Sequence, residues 1–177
     1  LTASVAKHCL ESGCTSVHAV LYELDGHVIP ELERTMEAIT SLFNENNAKF
    51  TYEVKNEDFI LARHDKDKNI QPYDAAVINP PYFKYSVKES PYAKAASDLY
   101  KGDPNIYASF MAVVLSSLSE HGQMVTISPR SFTNGLYFKG FRKYLLAESC
   151  LNLVHIFKSR DKVFRDKNSS VLQENII

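Results

Sequence analysis

The chain has 177 residues, 45% hydrophobic and 23% charged, with a formal net charge of −1. That is the size and make-up of one globular domain with a real hydrophobic core, and no apolar run approaches the ~18–20 residues of a membrane span. The near-zero total conceals a gradient. Residues 1–120 hold 11 Lys+Arg against 17 Asp+Glu and residues 121–177 hold 9 against 4, so −6 gives way to +5 and a basic end suits a polyanion.

The opening LTASVAKHCL carries Lys7 and His8 but no apolar stretch of a signal peptide, which points to a cytoplasmic protein. It begins with Leu rather than Met and reads as a piece of something longer. Cys9, Cys14 and Cys150 make no metal-ligand spacing, and their odd count makes no disulfide framework; they read as reduced, buried side chains with no metal. Residues 17–23 (VHAVLYE) read as a buried strand. Ile29, Leu32, Met36, Ile39 and Phe43 recur at steps of three and four, which puts them on one face of a helix with Pro30 in its first turn. Residues 49–54 (KFTYEV) alternate as a strand does, and residues 73–79 (YDAAVIN) form a third. Residues 84–103 are polar and irregular and read as a long mobile loop. Ile106, Phe110, Val113, Val114 and Leu118 mark a second amphipathic helix that stops at Gly122. Residues 123–128 (QMVTIS) form a strand, 138–146 a short basic helix, and 152–157 and 171–177 two closing strands. Strands alternating with helices predict an α/β fold with a doubly wound, mainly parallel sheet, whose ligands bind outside the carboxyl ends of the strands. Three such ends carry polar residues: Glu23 and Asp25, then Asn56-Glu57-Asp58-Phe59, then Asn79-Pro80-Pro81-Tyr82.

The third end holds the most chemistry. Proline lacks an N–H and fixes φ, so Pro80 and Pro81 make a rigid extended corner. The Pro80 carbonyl stays out of any ladder, and the Asn79 side-chain oxygen is a second acceptor nearby. Two converging acceptors suit an –NH2 group. Tyr82 offers a flat face for a heterocycle, worth about 1–3 kcal/mol per stacked base.

With this corner on view, the chain resembles the N6-adenine DNA methyltransferases of the gamma arrangement, the Eco57I-like restriction-modification group. The resemblance covers nearly all of the chain, through YELD at 22–25, NEDF at 56–59, DAAVINPPY at 74–82, NIYASFMAVVLSSLSEHGQMVTISPRSF at 105–132, YFKGFRKYLL at 137–146 and HIFKSRDKVF at 155–164. It implies a Rossmann-like class I methyltransferase fold. S-adenosylmethionine is the implied methyl donor and double-stranded DNA the partner, with a restriction or specificity region or subunit alongside. Asn79, Pro80, Pro81 and Tyr82 would form the catalytic corner, Asn79 and Pro80 holding the target N6 and Tyr82 stacking on the base. Glu23 would accept hydrogen bonds from the donor's ribose, with Asp25 a lesser candidate. Asp58 would take the donor's adenine amine, Phe59 would pack near that ring, and Asn79 faces the donor as well. The same corner serves methylation of an RNA base or of a protein glutamine, and a non-catalytic specificity module is a third reading; the segments at 105–132 and 138–146 favour DNA. Arg130 and Ser131 are expected near the cleft, and Lys139, Arg142, Lys143, Lys158, Arg160, Lys162 and Arg165 are candidates for phosphate contacts.

The resemblance is incomplete. The family's glycine-rich turn follows its first strand, yet Gly13, Gly26, Gly102, Gly122, Gly135 and Gly140 include no Gly-x-Gly pair. Residues 1–177 therefore read as a partial, N-terminally truncated catalytic domain, with the first strand and that turn upstream and the target-recognition region downstream. A gap in the sheet, with exposed strand edges prone to self-association, is the expected consequence.

Overall fold

The computed structural model describes residues 1–64, 71–86, 90–102, 105–157 and 175–176. It divides into two compact units, Leu1–Ala62 and Arg63–Ile177.

Unit 1 begins with α1 (Thr2–Glu11), β1 (Ser16–Tyr22), α2 (Ile29–Glu45) and β2 (Lys49–Lys55), and enters α3 (Phe59–His64). The spacing of Leu32, Met36, Ile39 and Phe43 gives α2 one apolar face. Met36, Ile39 and Phe43 are buried on it, against Ala6, Leu21 and Phe50. Each large side chain so buried contributes roughly 1.5–3 kcal/mol. Phe43 and Phe50 meet with ring centroids 5.2 Å apart. Pro30 lies in the first turn of α2, where its missing N–H costs nothing. The helix stops at Asn46, whose Nδ2 donates to the Leu42 carbonyl at 2.8 Å, and Asn47 follows in the left-handed region with φ of 56°. The chain then returns as β2, parallel to β1, with Ser16 opposite Lys49 and Tyr22 opposite Lys55.

Unit 2 takes in the end of α3 and then β3 (Tyr73–Ile78), α4 (Pro91–Ser97), α5 (Ile106–Leu115), β4 (Leu118–Thr126), β5 (Ser128–Pro129), a 3-10 turn (Arg130–Thr133), α6 (Lys139–Glu148) and β6 (Asn175–Ile176). β3 and β4 pair in parallel, with a register shift between Tyr73 and Ala75. His121, with φ of 65°, and Gly122 lie on β4 across that irregularity. A Cβ on Gly122 would fall 2.9 Å from Leu118 Cβ and from the Ser119 carbonyl, so only glycine fits without a shift. β5 and β6 form a short antiparallel pair, so the described strands make three two-stranded sheets. The core gathers Tyr100, Tyr107, Met111, Phe132, Phe138, Phe141 and Leu145.

Several expectations need correction. The expected loop at 84–103 contains α4, whose Ser90 side chain accepts from the Tyr92 N–H as an N-cap, and Lys84 bridges to Asn105. Residues 87–89 and 103–104 lie outside the described residues. The second helix ends at Leu115 instead of running to Gly122, because Leu118 already begins β4. It is not amphipathic either: all but Phe110 and Leu115 of its ten residues are buried. Covered all round, it shows no apolar stripe to read. The expected strand at 152–157 is not one, and Leu153 and Val154 are exposed. Of the strand at 171–177 only Asn175–Ile176 is described. The helix α3 was not expected, since six residues are too few to show a period.

Candidate functional site

In unit 1 the expected donor residues meet at the carboxyl ends of two adjacent strands. Glu23 directly follows β1, and its N–H extends the pairing by donating to the Lys55 carbonyl at 3.0 Å. Its Oε1 accepts the Asp25 N–H at 2.8 Å, and Asp25 Oδ1 accepts the His27 N–H at 2.9 Å, which folds residues 23–27 into a tight turn. Asp25 thus serves its own turn. Asn56, just past β2, donates from Nδ2 to the Glu23 carbonyl at 2.8 Å and the Leu24 carbonyl at 3.1 Å, fastening one strand end to the other. Asp58 Oδ1 accepts the Leu61 N–H at 3.0 Å and so caps α3. Phe59 meets Tyr22 edge-on, with centroids 5.1 Å apart and planes at 78°. Two carboxylates and an aromatic ring, held by backbone hydrogen bonds at neighbouring strand ends, fit a nucleoside: hydroxyls and an amine to donate, and a ring to pack. Among the described residues no His/Cys/Asp/Glu group could hold a metal ion.

In unit 2 the β3 strand delivers the corner. Asn79 and Pro81 are exposed, Pro80 is buried and Tyr82 is half-buried. The Tyr82 hydroxyl donates to Asn79 Oδ1 at 2.7 Å, with the Ile127 carbonyl a longer second acceptor at 3.2 Å. A phenol has one hydrogen, so the shorter contact takes most of it. The Ile127 N–H donates to the Ile78 carbonyl at 3.1 Å, which carries the β3–β4 pairing up to the corner. Nothing among the described residues donates to the Pro80 carbonyl. Tyr82 meets Tyr107 edge-on at 6.3 Å. Beside them opens a cavity of about 480 Å³ lined by Tyr82, Phe83, Lys84, Asn105, Tyr107, Ser131, Tyr137 and Phe138. Tyr107 and Ser131 share a hydrogen bond of 3.0 Å, and the Lys84 ammonium lies 5.2 Å from the Tyr137 ring centroid. Burial pushes the Tyr107 phenol up to about 12, and it raises Tyr82 as well, so both stay neutral at physiological pH. Such a cavity offers an aromatic wall for stacking, with two oxygen acceptors at the corner beside it.

The basic candidates divide. Lys139 and Lys143 are exposed on α6. Arg142 is not an exposed phosphate ligand: its guanidinium donates to the carbonyls of Phe132 (2.9 Å), Asn134 (2.8 Å) and Gly135 (2.7 Å). Its charge is engaged because the turn before α6 leaves those carbonyls without backbone partners. Arg130 is exposed, and Ser131 lies on the cavity wall as expected. Lys158, Arg160, Lys162 and Arg165 lie outside the described residues. The cysteines are free but not buried, with Cys14 and Cys150 exposed. Sequence reading gave no role to Asn56, Lys84, Asn105, Tyr107, Tyr137 or Phe138. Tyr107 follows an Asn N-cap, a signal for the start of a helix but not for which wall its ring joins.

The profile of the Eco57I restriction-modification methylase family matches residues 18–164. The chain belongs to that family. Two relatives, the Type II methyltransferases M.PstI of Providencia stuartii and M.BsuBI of Bacillus subtilis, are each 33% identical over the whole chain. The chain spans 35% of the length of each. The modification methylase CviBIII of Paramecium bursaria Chlorella virus NC1A is 29% identical over 69% of the chain and 29% of its own length. Among solved structures, a Listeria monocytogenes protein assigned to the class I S-adenosylmethionine-dependent methyltransferases superposes with a TM-score of 0.57 at 15% identity. That likeness covers 99% of this chain and 48% of the other, and it shows the fold: Rossmann-like α/β with parallel strands. The Eco57I family assignment and this fold agree with what the 74–82 segment implied.

Proposed function

We propose that this Eco57I-family chain is the catalytic core of an enzyme that methylates N6 of adenine in double-stranded DNA within a restriction-modification system. S-adenosylmethionine, when bound, supplies a methyl group on a positively charged sulfur. Glu23, Asp58 and Phe59 are the residues assigned to hold its nucleoside. Adenine N6 is a poor nucleophile because its lone pair is delocalised into the ring. Asn79 Oδ1 and the Pro80 carbonyl accept its two hydrogens, which draws charge onto the nitrogen and favours a tetrahedral geometry. Tyr82 stacks on the base once it has left the duplex, offsetting part of the stacking lost. The chain's own residues position and polarise; none is called on as a strong general base.

One observation carries this reading. Asn79 Oδ1 is held at 2.7 Å by the Tyr82 hydroxyl, beside the aromatic cavity that Tyr82 itself lines and next to a Pro80 carbonyl that has no donor among the described residues. Membership of a restriction-modification family and two Type II methyltransferase relatives support DNA over the alternatives, an RNA base or a protein glutamine. The test is methyl transfer from labelled S-adenosylmethionine by the full-length protein. Unmethylated duplex DNA, RNA and a release factor are offered separately. Label recovered as N6-methyladenine from DNA alone is the expected result. Label in RNA or protein, or none in any substrate, overturns the proposal.

A further inference from the structure

Leu136 is 87% exposed on a turn that is otherwise firmly anchored. Gly135 before it has φ of +73°, and a Cβ built there would meet nothing within 4 Å, so the turn projects into open space. Its base does not move freely. Arg142 clamps three carbonyls of the turn, those of Phe132, Asn134 and Gly135, at 2.7–2.9 Å. Phe132 and Phe138 on either side are buried in the core of unit 2. Ser131, Tyr137 and Phe138 are at the same time walls of the cavity that Tyr82 lines. Lys139 and Lys143 stand exposed on the helix that follows.

A single exposed leucine is ordinary on a protein surface. A leucine on a guanidinium-braced turn, directly before the cavity-wall residues Tyr137 and Phe138 and followed by two exposed lysines, is a stiff apolar point at the rim of a site assigned to a base. Taking a base out of a duplex leaves a slot between two apolar base faces. An apolar side chain that enters such a slot restores contact there and hinders the base from returning. It performs this best if already rigid, since a mobile turn would lose conformational freedom on entry.

We infer that Leu136 inserts into the DNA at the target pair and occupies the place in the stack that the extruded adenine leaves. The inference rests on the proposed activity and adds to it a residue that contacts neither the methyl donor nor the target amine. Lys139 and Lys143, exposed on the helix that follows, supply positive charge for the neighbouring phosphates.

The test uses the full-length protein and a duplex bearing its methylation site, mapped first on unmethylated phage DNA. Two duplexes are compared under single-turnover conditions: one with the target adenine paired to thymine, one with an abasic site opposite it. Leu136→Ala should slow methylation of the paired duplex about tenfold, the scale expected when a stacking wedge is lost. On the abasic duplex, where no pair has to be broken, the same variant should stay within about twofold of the parent. Leu136→Met, which keeps a long apolar side chain, should retain the parent rate on both. A parent-like rate for Leu136→Ala on the paired duplex, or an equal loss on both duplexes, overturns the insertion. A parent protein that methylates neither duplex overturns the methyltransferase reading itself, and the insertion with it.

Discussion

Asn79 and Tyr82 act as a pair. The amide oxygen proposed to receive an amino hydrogen is already fixed by the phenol at 2.7 Å, so its direction is set before any base arrives. Asn79→Ala removes an acceptor that matters most as charge develops on N6. Loss of such a preorganised group costs on the order of 100–1,000-fold in kcat, with KM for DNA little changed. Tyr82→Phe keeps the ring but frees the amide and should lower kcat about tenfold, the order of one hydrogen bond. Tyr82→Ala removes the stacking face too and should raise KM in addition. Steady-state methyl transfer by the full-length protein separates the three, and an unchanged kcat for Tyr82→Phe would deny the hydroxyl any positioning role. The buried phenols also set a pH limit. Tyr107 is raised from 10.0 to about 12 by burial, and Tyr82, Tyr85, Tyr100 and Tyr144 shift upward for the same first reason. The unfolded chain gives up these protons first, so between pH 10 and about 12 it binds fewer protons than the folded chain. The stability contributed is whole below pH 10 and drains away as pH rises toward 12. Urea midpoints measured alongside phenolate absorbance should fall together through that window.

At the scale of elements, the approach of α6 to the segment before α5 depends on one missing methyl group. A Cβ on Gly140 would collide with the Lys101 carbonyl, which is backbone and cannot swing aside. Gly140→Ala should therefore push α6 away and cost about 1–3 kcal/mol, the usual range for overpacking, read as a lower urea midpoint. Gly135→Asn is the control. That position has positive φ and open space around it, and asparagine tolerates the left-handed region, so a change within about 0.5 kcal/mol is expected. α3 shows a different economy of parts: Asp58 caps it and is also the residue assigned to the donor's adenine. Asparagine caps a helix as well as aspartate does. Asp58→Asn should accordingly leave the thermal midpoint in place while weakening donor binding in the full-length protein, and a fall in both would make Asp58 a structural residue alone.

Taken whole, the chain carries the two ends of the proposed reaction in two units: Glu23, Asp58 and Phe59 in the first, and Asn79, Pro80, Pro81 and Tyr82 in the second. Six glycines include no Gly-x-Gly turn, so the donor anchorage proposed within these 177 residues rests on the carboxylates of Glu23 and Asp58 and the ring of Phe59. Calorimetry of the 177-residue chain with S-adenosylmethionine should show a weak complex, and a dissociation constant below about 1 μM, some 8 kcal/mol of binding, would contradict that assignment of the pocket.

β1, β2, β3, α2 and the proline corner were legible in the residues themselves because their signals are local. A 3.6-residue period, a two-residue alternation and a fixed φ all act within a few positions. The family followed from the order and spacing of such segments. Other features depend on residues far apart in the chain. Tyr82 reaches Ile127 across 45 positions, Asn56 reaches Glu23 across 33, and Arg63 donates to Ser117 across 54. Arg142 illustrates the difference most clearly: in the sequence it is one more cation in a basic stretch, and in the fold it faces three carbonyls. Composition assigns a charge to a side chain, but the unmet hydrogen-bonding needs of the backbone around it decide where that charge goes. The amino-acid order thus determined which groups were present and which short segments would be regular. Only the tertiary structure decided which groups were already engaged with one another, because that depends on distances no local pattern encodes.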